Sequence, residues 1–262
     1  MAKQCKMPRM VAARGPLLSV LGLLGAVAAG QGNAATGAVG GSLALTSDYI
    51  YHGISQTCGD PAAQADVHFS SPGGRAASQA FIGLWGSVGL GGEECGASRE
   101  LNIYGGYSFA FDQDASVSLL YTHYAYPGGS YTIERLSGHR YDYDELQAVF
   151  AYQDRLYVTL AWTPNALGYG YEGLNQSRSA FSSGLQLHQP LPASFTLLAG
   201  VGYDEIADPT GAGYAFWNIG LGYRFGVVEL AVSYFDTVAR AERLFGPYVA
   251  GGRGAATAIW RF

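Results

Sequence analysis

Gly252-Arg-Gly-Ala-Ala-Thr-Ala-Ile-Trp-Arg-Phe262 is the stretch that decides the fold. Counting back in twos from Phe262 gives Trp260, Ala258 and Ala256, an apolar face, while Thr257, Ile259 and Arg261 stand on the other. A period of two belongs to an extended strand whose faces meet different surroundings. Such a strand has to pair, because a free edge leaves a row of N–H and C=O groups open. In hydrocarbon nothing else satisfies those groups, so the last strand must close onto the first. The competing reading is a soluble sandwich whose edge strand ends in Phe.

The opposite end of the sequence argues for export. Lys3, Lys6, Arg9 and Arg14 precede an apolar run from Leu17 to Ala29, and small residues continue to about Thr36. This is the anatomy of a secretory signal peptide, too short to span a bilayer as a helix. It is expected over residues 1–35, with cleavage between 28 and 35 and a barrel over 36–262. Losing those four basic residues moves the formal charge from −5 to −9 and removes both lysines. An acidic, lysine-free chain has little to neutralise phosphates, so nucleic acid is not an expected partner. Cys58 and Cys95 remain; in an oxidising compartment they are a candidate disulfide.

Between the two ends, twelve strands are expected near 39–51, 62–71, 77–90, 98–110, 114–126, 144–153, 155–163, 178–189, 193–204, 214–224, 227–236 and 252–262. Their connections alternate in length. Pro72-Gly73-Gly74, Asp112-Gln113, Asp154, Pro190-Leu191-Pro192 and Phe225-Gly226 make short turns. Gly53–Pro61, Gly91–Ala97, Pro127–Tyr143, Pro164–Ser177, Glu205–Gly213 and Thr237–Gly251 make long loops. Short turns at one end and long loops at the other describe an all-β, transmembrane, antiparallel up-and-down barrel of the bacterial outer membrane. Greek-key sandwiches have no reason to keep that alternation. Short turns then face the periplasm, and Cys58 and Cys95 fall in the first two outer loops. Tyr49, Tyr126, Tyr152, Trp162, Tyr203, Tyr223, Phe225, Tyr234, Trp260 and Phe262 suit the interfacial aromatic girdles.

Four stretches resemble a known family. Ser42-Leu-Ala-Leu-Thr-Ser-Asp-Tyr-Ile-Tyr-His-Gly-Ile-Ser-Gln-Thr57 resembles the opening of the TorF family of porins. Phe81-Ile-Gly-Leu-Trp-Gly-Ser87, Glu100-Leu-Asn-Ile-Tyr-Gly-Gly-Tyr107 and Tyr124-Ala-Tyr-Pro-Gly128 resemble later segments of it. Two positions depart from its pattern: His52 stands where the family usually has Arg, and Asn102 where it usually has a carboxylate. The resemblance implies an outer-membrane barrel and a channel, without catalytic residues or a known substrate.

The polar face of the strands supplies the candidate pore-lining residues: Asp48, Gln64, Asp66, His68, Glu100, Asn102, Glu145, Gln147, Gln186, His188, Asn218, Arg224, Glu229, Arg253 and Arg261. A wet interior accounts for such a face, and so does a closed interior filled by ion pairs. Five carboxylates (Asp48, Asp66, Glu100, Glu145, Glu229) stand against three arginines (Arg224, Arg253, Arg261). The expected function is a porin-like channel for passive diffusion of small hydrophilic solutes, weakly cation-preferring. A plugged structural or adhesive barrel presenting its outer loops is the alternative. A barrel hydrolase comes third: His123 is near the outer rim, but Ser116 and Ser118 point to the opposite face and no Gly-x-Ser-x-Gly elbow exists. The loop Ser137–Glu145 carries three carboxylates without the spacing of a Ca²⁺ loop. No metal, cofactor or enzymatic activity is expected. The expected partners are outer-membrane lipid, the barrel-assembly machinery and small hydrophilic solutes.

Trp260 and Phe262 form the expected C-terminal assembly signal. Phe262→Ala should sharply reduce the fraction of heat-modifiable, folded protein in outer-membrane extracts. Wild-type levels would exclude an anchoring role for that aromatic ring.

Overall fold

The computed structural model of the chain describes residues 37–72, 78–91, 99–127, 130–133, 136–140, 142–167, 177–205 and 213–262. The expected leader and Cys95 lie outside them. Among the described residues the strands are β1 (Ala38–Thr46), β2 (Ile50–Tyr51), β3 (Ile54–Ser55), β4 (Ala62–Ser70), β5 (Gln79–Gly89), β6 (Arg99–Ala110), β7 (Ala115–Ala125), β8 (Ser130–Ile133) and β9 (Leu136–Arg140). They continue with β10 (Tyr143–Tyr152), β11 (Leu156–Leu167), β12 (Ser177–Pro190), β13 (Phe195–Glu205), β14 (Gly213–Phe225) and β15 (Val228–Thr237). Two short helices follow, α1 (Ala239–Phe245) and α2 (Pro247–Ala250), before β16 (Arg253–Arg261).

Twelve of these strands form one closed antiparallel barrel, in the order β1-β16-β15-β14-β13-β12-β11-β10-β7-β6-β5-β4. Closure runs between the chain ends: Ser42 pairs with Arg261 and Thr46 with Thr257. Beyond the ladder, Phe262 N donates to Gly41 O at 3.1 Å and Gly41 N to Phe262 O at 2.9 Å.

Alternation then sorts the side chains. On β1, β4 and β5 the exposed outer face carries Leu43, Leu45, Val67, Phe69, Ile82 and Leu84, while Ser42, Thr46, Asp66, His68 and Ser87 are buried inside. A slip of one residue in any pairing would exchange these faces, so the apolar pattern pins the register.

The differences from the expected strands are informative. The first strand stops at Thr46 instead of reaching residue 51, and the chain turns inward at Ser47–Asp48. Tyr49 and Tyr126, expected in the girdles, are buried inside at 5% and 2% exposure, whereas Tyr152, Trp162, Tyr203, Tyr223, Phe225, Tyr234, Trp260 and Phe262 are exposed on the outer surface. The two tyrosines lie just beyond the loop-side ends of β1 and β7, where the backbone has left the sheet and alternation no longer sets direction. β11 runs through Pro164 to Leu167, with the register shifting between Thr163 and Ala166. Proline has no N–H to give the ladder, and an irregularity of this kind accommodates it.

Val232 is 64% exposed at the middle of β15. Val232→Arg should destabilise the folded barrel by about 2–4 kcal/mol, the cost of a cation on a lipid-facing position near the bilayer midplane. Urea-dependent folding into vesicles reads this, and a change below about 0.5 kcal/mol would contradict the face assignment.

Candidate functional site

The segment after β1 does not stand out from the rim as an open loop. Ile50–Tyr51 and Ile54–Ser55 pair as a two-residue-turn hairpin, with His52 at φ 44° and Gly53 at φ 77°. Positive φ at both central residues is the signature of a type I′ turn, in which Gly is unstrained. Space also selects glycine here, since a Cβ on Gly53 would lie 2.4 Å from Thr237 Cγ2.

This hairpin lies across the loop-side end of the lumen and touches nearly opposite walls. Tyr49 meets Trp85 on β5, ring centroids 5.7 Å apart, and its hydroxyl donates to Glu100 Oε2 on β6 at 3.3 Å. His52 stacks on Phe216 of β14 at 4.3 Å and faces Asp204 Oδ2 of β13 at 3.6 Å. Ile54 joins Tyr214, Phe216, Ala241 and Ala250 in an apolar cluster, so α1 and α2 brace the hairpin tip. At the hairpin base, Asp48 accepts from Ser55 Oγ at 2.5 Å, Thr57 Oγ1 at 3.0 Å and Arg253 Nη1 at 3.0 Å. A buried carboxylate is tolerable only with such partners. Arg253 also donates to the carbonyls of Tyr248 and Gly251, and Tyr248 Oη donates to Cys58 O at 2.9 Å. The first and last outer connections are thereby joined.

Below the hairpin the interior is uneven. One side, bounded by β4 to β11, is filled by Phe81, Trp85, Tyr104, Leu120, Tyr124, Tyr126 and Tyr143 together with Tyr49 and Tyr51. Tyr124 and Tyr143 stack at 4.4 Å. Carboxylates in this half are held by neutral donors. Glu100 accepts from Asn102 Nδ2 at 2.7 Å, and Glu145 accepts from Tyr124, Thr163 and Gln147. Asp66 accepts from Tyr104 Oη at 2.6 Å and lies 2.8 Å from His68 Nδ1. Burial, with the Glu100 carboxyl beside it, holds the Tyr49 phenol well above its ordinary value, so it remains a donor.

On the other side small residues leave a cavity of about 130 Å³. Ser42, Ala44 and Thr46 of β1, Ala231 and Ser233 of β15, and Ala255 and Thr257 of β16 make its wall. It runs from Asp48 and Tyr49 at the loop end to Glu229 and Arg261 at the short-turn end. There Arg224 Nη2 lies 3.3 Å and Arg261 Nη2 4.0 Å from Glu229 Oε2.

The fifteen sequence candidates therefore fall into separate groups. Asp48, Gln64, Glu229 and Arg261 line the cavity, with Arg253 behind Asp48. Asp66, His68, Glu100, Asn102, Glu145 and Gln147 are buried, the carboxylates bound as described above. Gln186 Nε2 meets Asn218 Oδ1 at 3.4 Å, and His188 packs near Tyr157 at 5.1 Å. Arg224 is largely exposed at the short-turn end.

Sequence reasoning missed Tyr51, Ser55, Thr57, Trp85 and Asp204 as interior groups. The His-Gly dipeptide between Ile50-Tyr51 and Ile54-Ser55 is a hairpin signal that could have shown the inward turn. The four stretches carrying the resemblance converge here: Asp48, Tyr49, Trp85, Glu100, Tyr104, Tyr124 and Tyr126 all belong to the hairpin and the filled half. The loop carboxylates do not gather: Asp144 faces outward to Tyr121, His123 and Asn165, and Glu145 faces inward. Among the described residues no group of three potential metal ligands exists. His123 Nδ1 lies 2.8 Å from Asp144 Oδ1, and no serine hydroxyl bonds to that imidazole among the described residues.

Comparison with solved structures agrees with the architecture. A membrane protein crystallised in meso superposes with a TM-score of 0.54 at 8% identity, over 86% of this chain and 83% of that one. An outer membrane channel from Pseudomonas putida F1 gives 0.46 at 12% identity, over 87% and 97%. The translocator domain of the autotransporter NalP from Neisseria meningitidis gives 0.44 at 12% identity, over 92% of each chain. No curated protein matches by sequence. The closed twelve-stranded barrel, apolar on its exposed outer face, is that of a bacterial outer-membrane protein. A family model covers residues 30–259, and the chain belongs to the family described as "Bacterial protein of unknown function (Gcw_chp)".

Proposed function

We propose that this barrel is a narrow porin-like channel through which small hydrophilic solutes diffuse passively. The observation that carries the reading is the cavity along β1, β15 and β16, which extends from the Asp48 end of the lumen to Arg261. The porin character implied by the TorF resemblance is part of the same proposal. The hairpin at Ile50–Ser55 is the constriction at the outer mouth, tethered through Asp48 and Arg253. A plugged barrel that only presents loops has no need of a cavity running this far.

A weak cation preference fits the charge arrangement. The cavity itself meets Asp48, Glu229 and Arg261, and each carboxylate has an arginine partner. Asp66, Glu100 and Glu145, which have no arginine beside them among the described residues, lie in the filled half. Those of them that are ionised place negative potential along the path, which fades as salt shortens the Debye length from about 10 Å at 0.1 M.

Planar-bilayer recording of the purified barrel tests this. A small conductance is expected, with a reversal potential displaced slightly toward the cation side in a salt gradient and less so at high salt. Gly53→Ala, which has no room for its Cβ against Thr237, should push the hairpin from the mouth and raise the unit conductance severalfold. Silence from the wild type and the variant alike would support the plugged barrel.

The same reading includes a bridge between Cys58 and Cys95, joining the hairpin to the second outer loop. Non-reducing mass spectrometry of outer-membrane protein should recover the linked peptides. Two alkylatable thiols would eliminate the bridge. Cys58→Ser should leave the barrel folded, because its backbone ladder does not include that residue.

A further inference from the structure

The groups facing the cavity divide into three kinds. Charged groups are matched within the protein: Asp48 with Arg253 at 3.0 Å, and Glu229 with Arg224 at 3.3 Å and Arg261 at 4.0 Å. Three neutral polar groups are not. Ser42, Gln64 and Ser233 line the cavity, and their side chains make no hydrogen bond to other described residues. Aromatic rings are the third kind, with Tyr49, Trp85 and Phe235 along the same space.

Each kind restricts the solute. A charged solute finds no uncompensated partner and would have to compete with an existing ion pair. A purely apolar solute would strip water from the open hydroxyls and the amide without replacing its hydrogen bonds, at a cost for every group left unmade. A ring carrying several hydroxyls meets both demands. Its hydroxyls both donate and accept, as do a serine hydroxyl and a glutamine amide, and its C–H faces lie against aromatic surface. Resting on the channel reading above, we propose that the cavity is a recognition path for small neutral polyhydroxylated solutes of the monosaccharide class. Gln64 supplies its bidentate contact and Trp85 its apolar flank.

The distribution of tryptophan provides the assay. Of four tryptophans, Trp162, Trp217 and Trp260 are exposed on the outer surface at 37%, 40% and 45%, while Trp85 is 4% exposed inside. In vesicles of phosphatidylcholine with brominated acyl chains, lipid quenches the three outer indoles and leaves the emission of Trp85. Titration with D-glucose is expected to change that emission saturably, with half-effect at roughly millimolar concentration, as befits a few hydrogen bonds in a wet path. Glycine serves as the zwitterionic control and should give no saturable change.

Gln64→Leu should raise the half-effect concentration about tenfold. Ser233→Ala serves as the second variant should Gln64→Leu fail the heat-modifiability test for folding. Potassium chloride conductance with no saturable glucose response would overturn the sugar class and leave the channel reading intact. A glycine response at equal or lower concentration would overturn it in favour of zwitterions. A saturable glucose response without any conductance would support the site and overturn the channel. A glucose response unchanged in a folded variant would overturn the assignment to this cavity.

Discussion

The pairing of β1 with β16 is the constraint on which the rest of the structure depends. Each backbone amide in hydrocarbon needs a partner, and an unpaired one costs several kcal/mol. An open sheet would present two such edges to lipid. Joining Ser42 to Arg261 and Thr46 to Thr257 removes both at once, and the exchange between Gly41 and Phe262 extends the seam to the last residue. Once closed, the sheet has an outside that must be apolar and an inside that lipid never meets. The period-two sequence of every strand then has a single consistent register.

Closure at twelve strands leaves an interior wider than that of an eight-stranded barrel, which its own side chains just fill. This chain meets the extra width unevenly. Phe81, Trp85, Tyr104, Tyr124, Tyr143 and Tyr157 point inward from β5, β6, β7, β10 and β11. Serine, alanine and threonine point inward from β1, β15 and β16. The space therefore collects against the seam and not along the barrel axis. The hairpin follows from the same disparity, since Tyr49 and Tyr51 complete the aromatic packing that the wall residues begin. Glycines on β13 and β14 contribute too: with no side chain at Gly200, Gln186 can lean across to Asn218.

How much of this was legible in the sequence follows from which residues obey a period. The number and order of the barrel strands, and most of their ends, could be read because lipid imposes alternation on them, and the charged face of β4, with Asp66 and His68, could be read for the same reason. What failed lay where the period stops. Beyond Thr46 the backbone is free of the sheet, so nothing in the alternation told that Tyr49 turns inward or that Asp48 serves as the anchor of a hairpin. The division of the candidate site was also hidden. Inward placement makes Gln64 and Glu100 equivalent in the sequence, but one faces space and the other aromatic rings. That difference depends on residues several strands away, such as Ala255 opposite Ser233.

Neutral donors explain how so many inward carboxylates coexist with so few arginines. A buried carboxyl needs hydrogen-bond partners, yet among the described residues Asp66, Glu100 and Glu145 have no arginine within ion-pair distance. Phenols and amides take that role: Tyr104 for Asp66, Tyr49 and Asn102 for Glu100, Tyr124 and Gln147 for Glu145. Each of the three tyrosine hydrogen bonds also fixes an aromatic ring of the filled half. The carboxylates thus hold the packing in place by binding to it. The arginines are left at the two ends of the cavity, Arg253 at the hairpin and Arg261 at the seam, each beside an acid. Burying the acids under tyrosine in one half of the lumen is what allows the other half to remain open, lined by neutral groups, and close to electrically balanced.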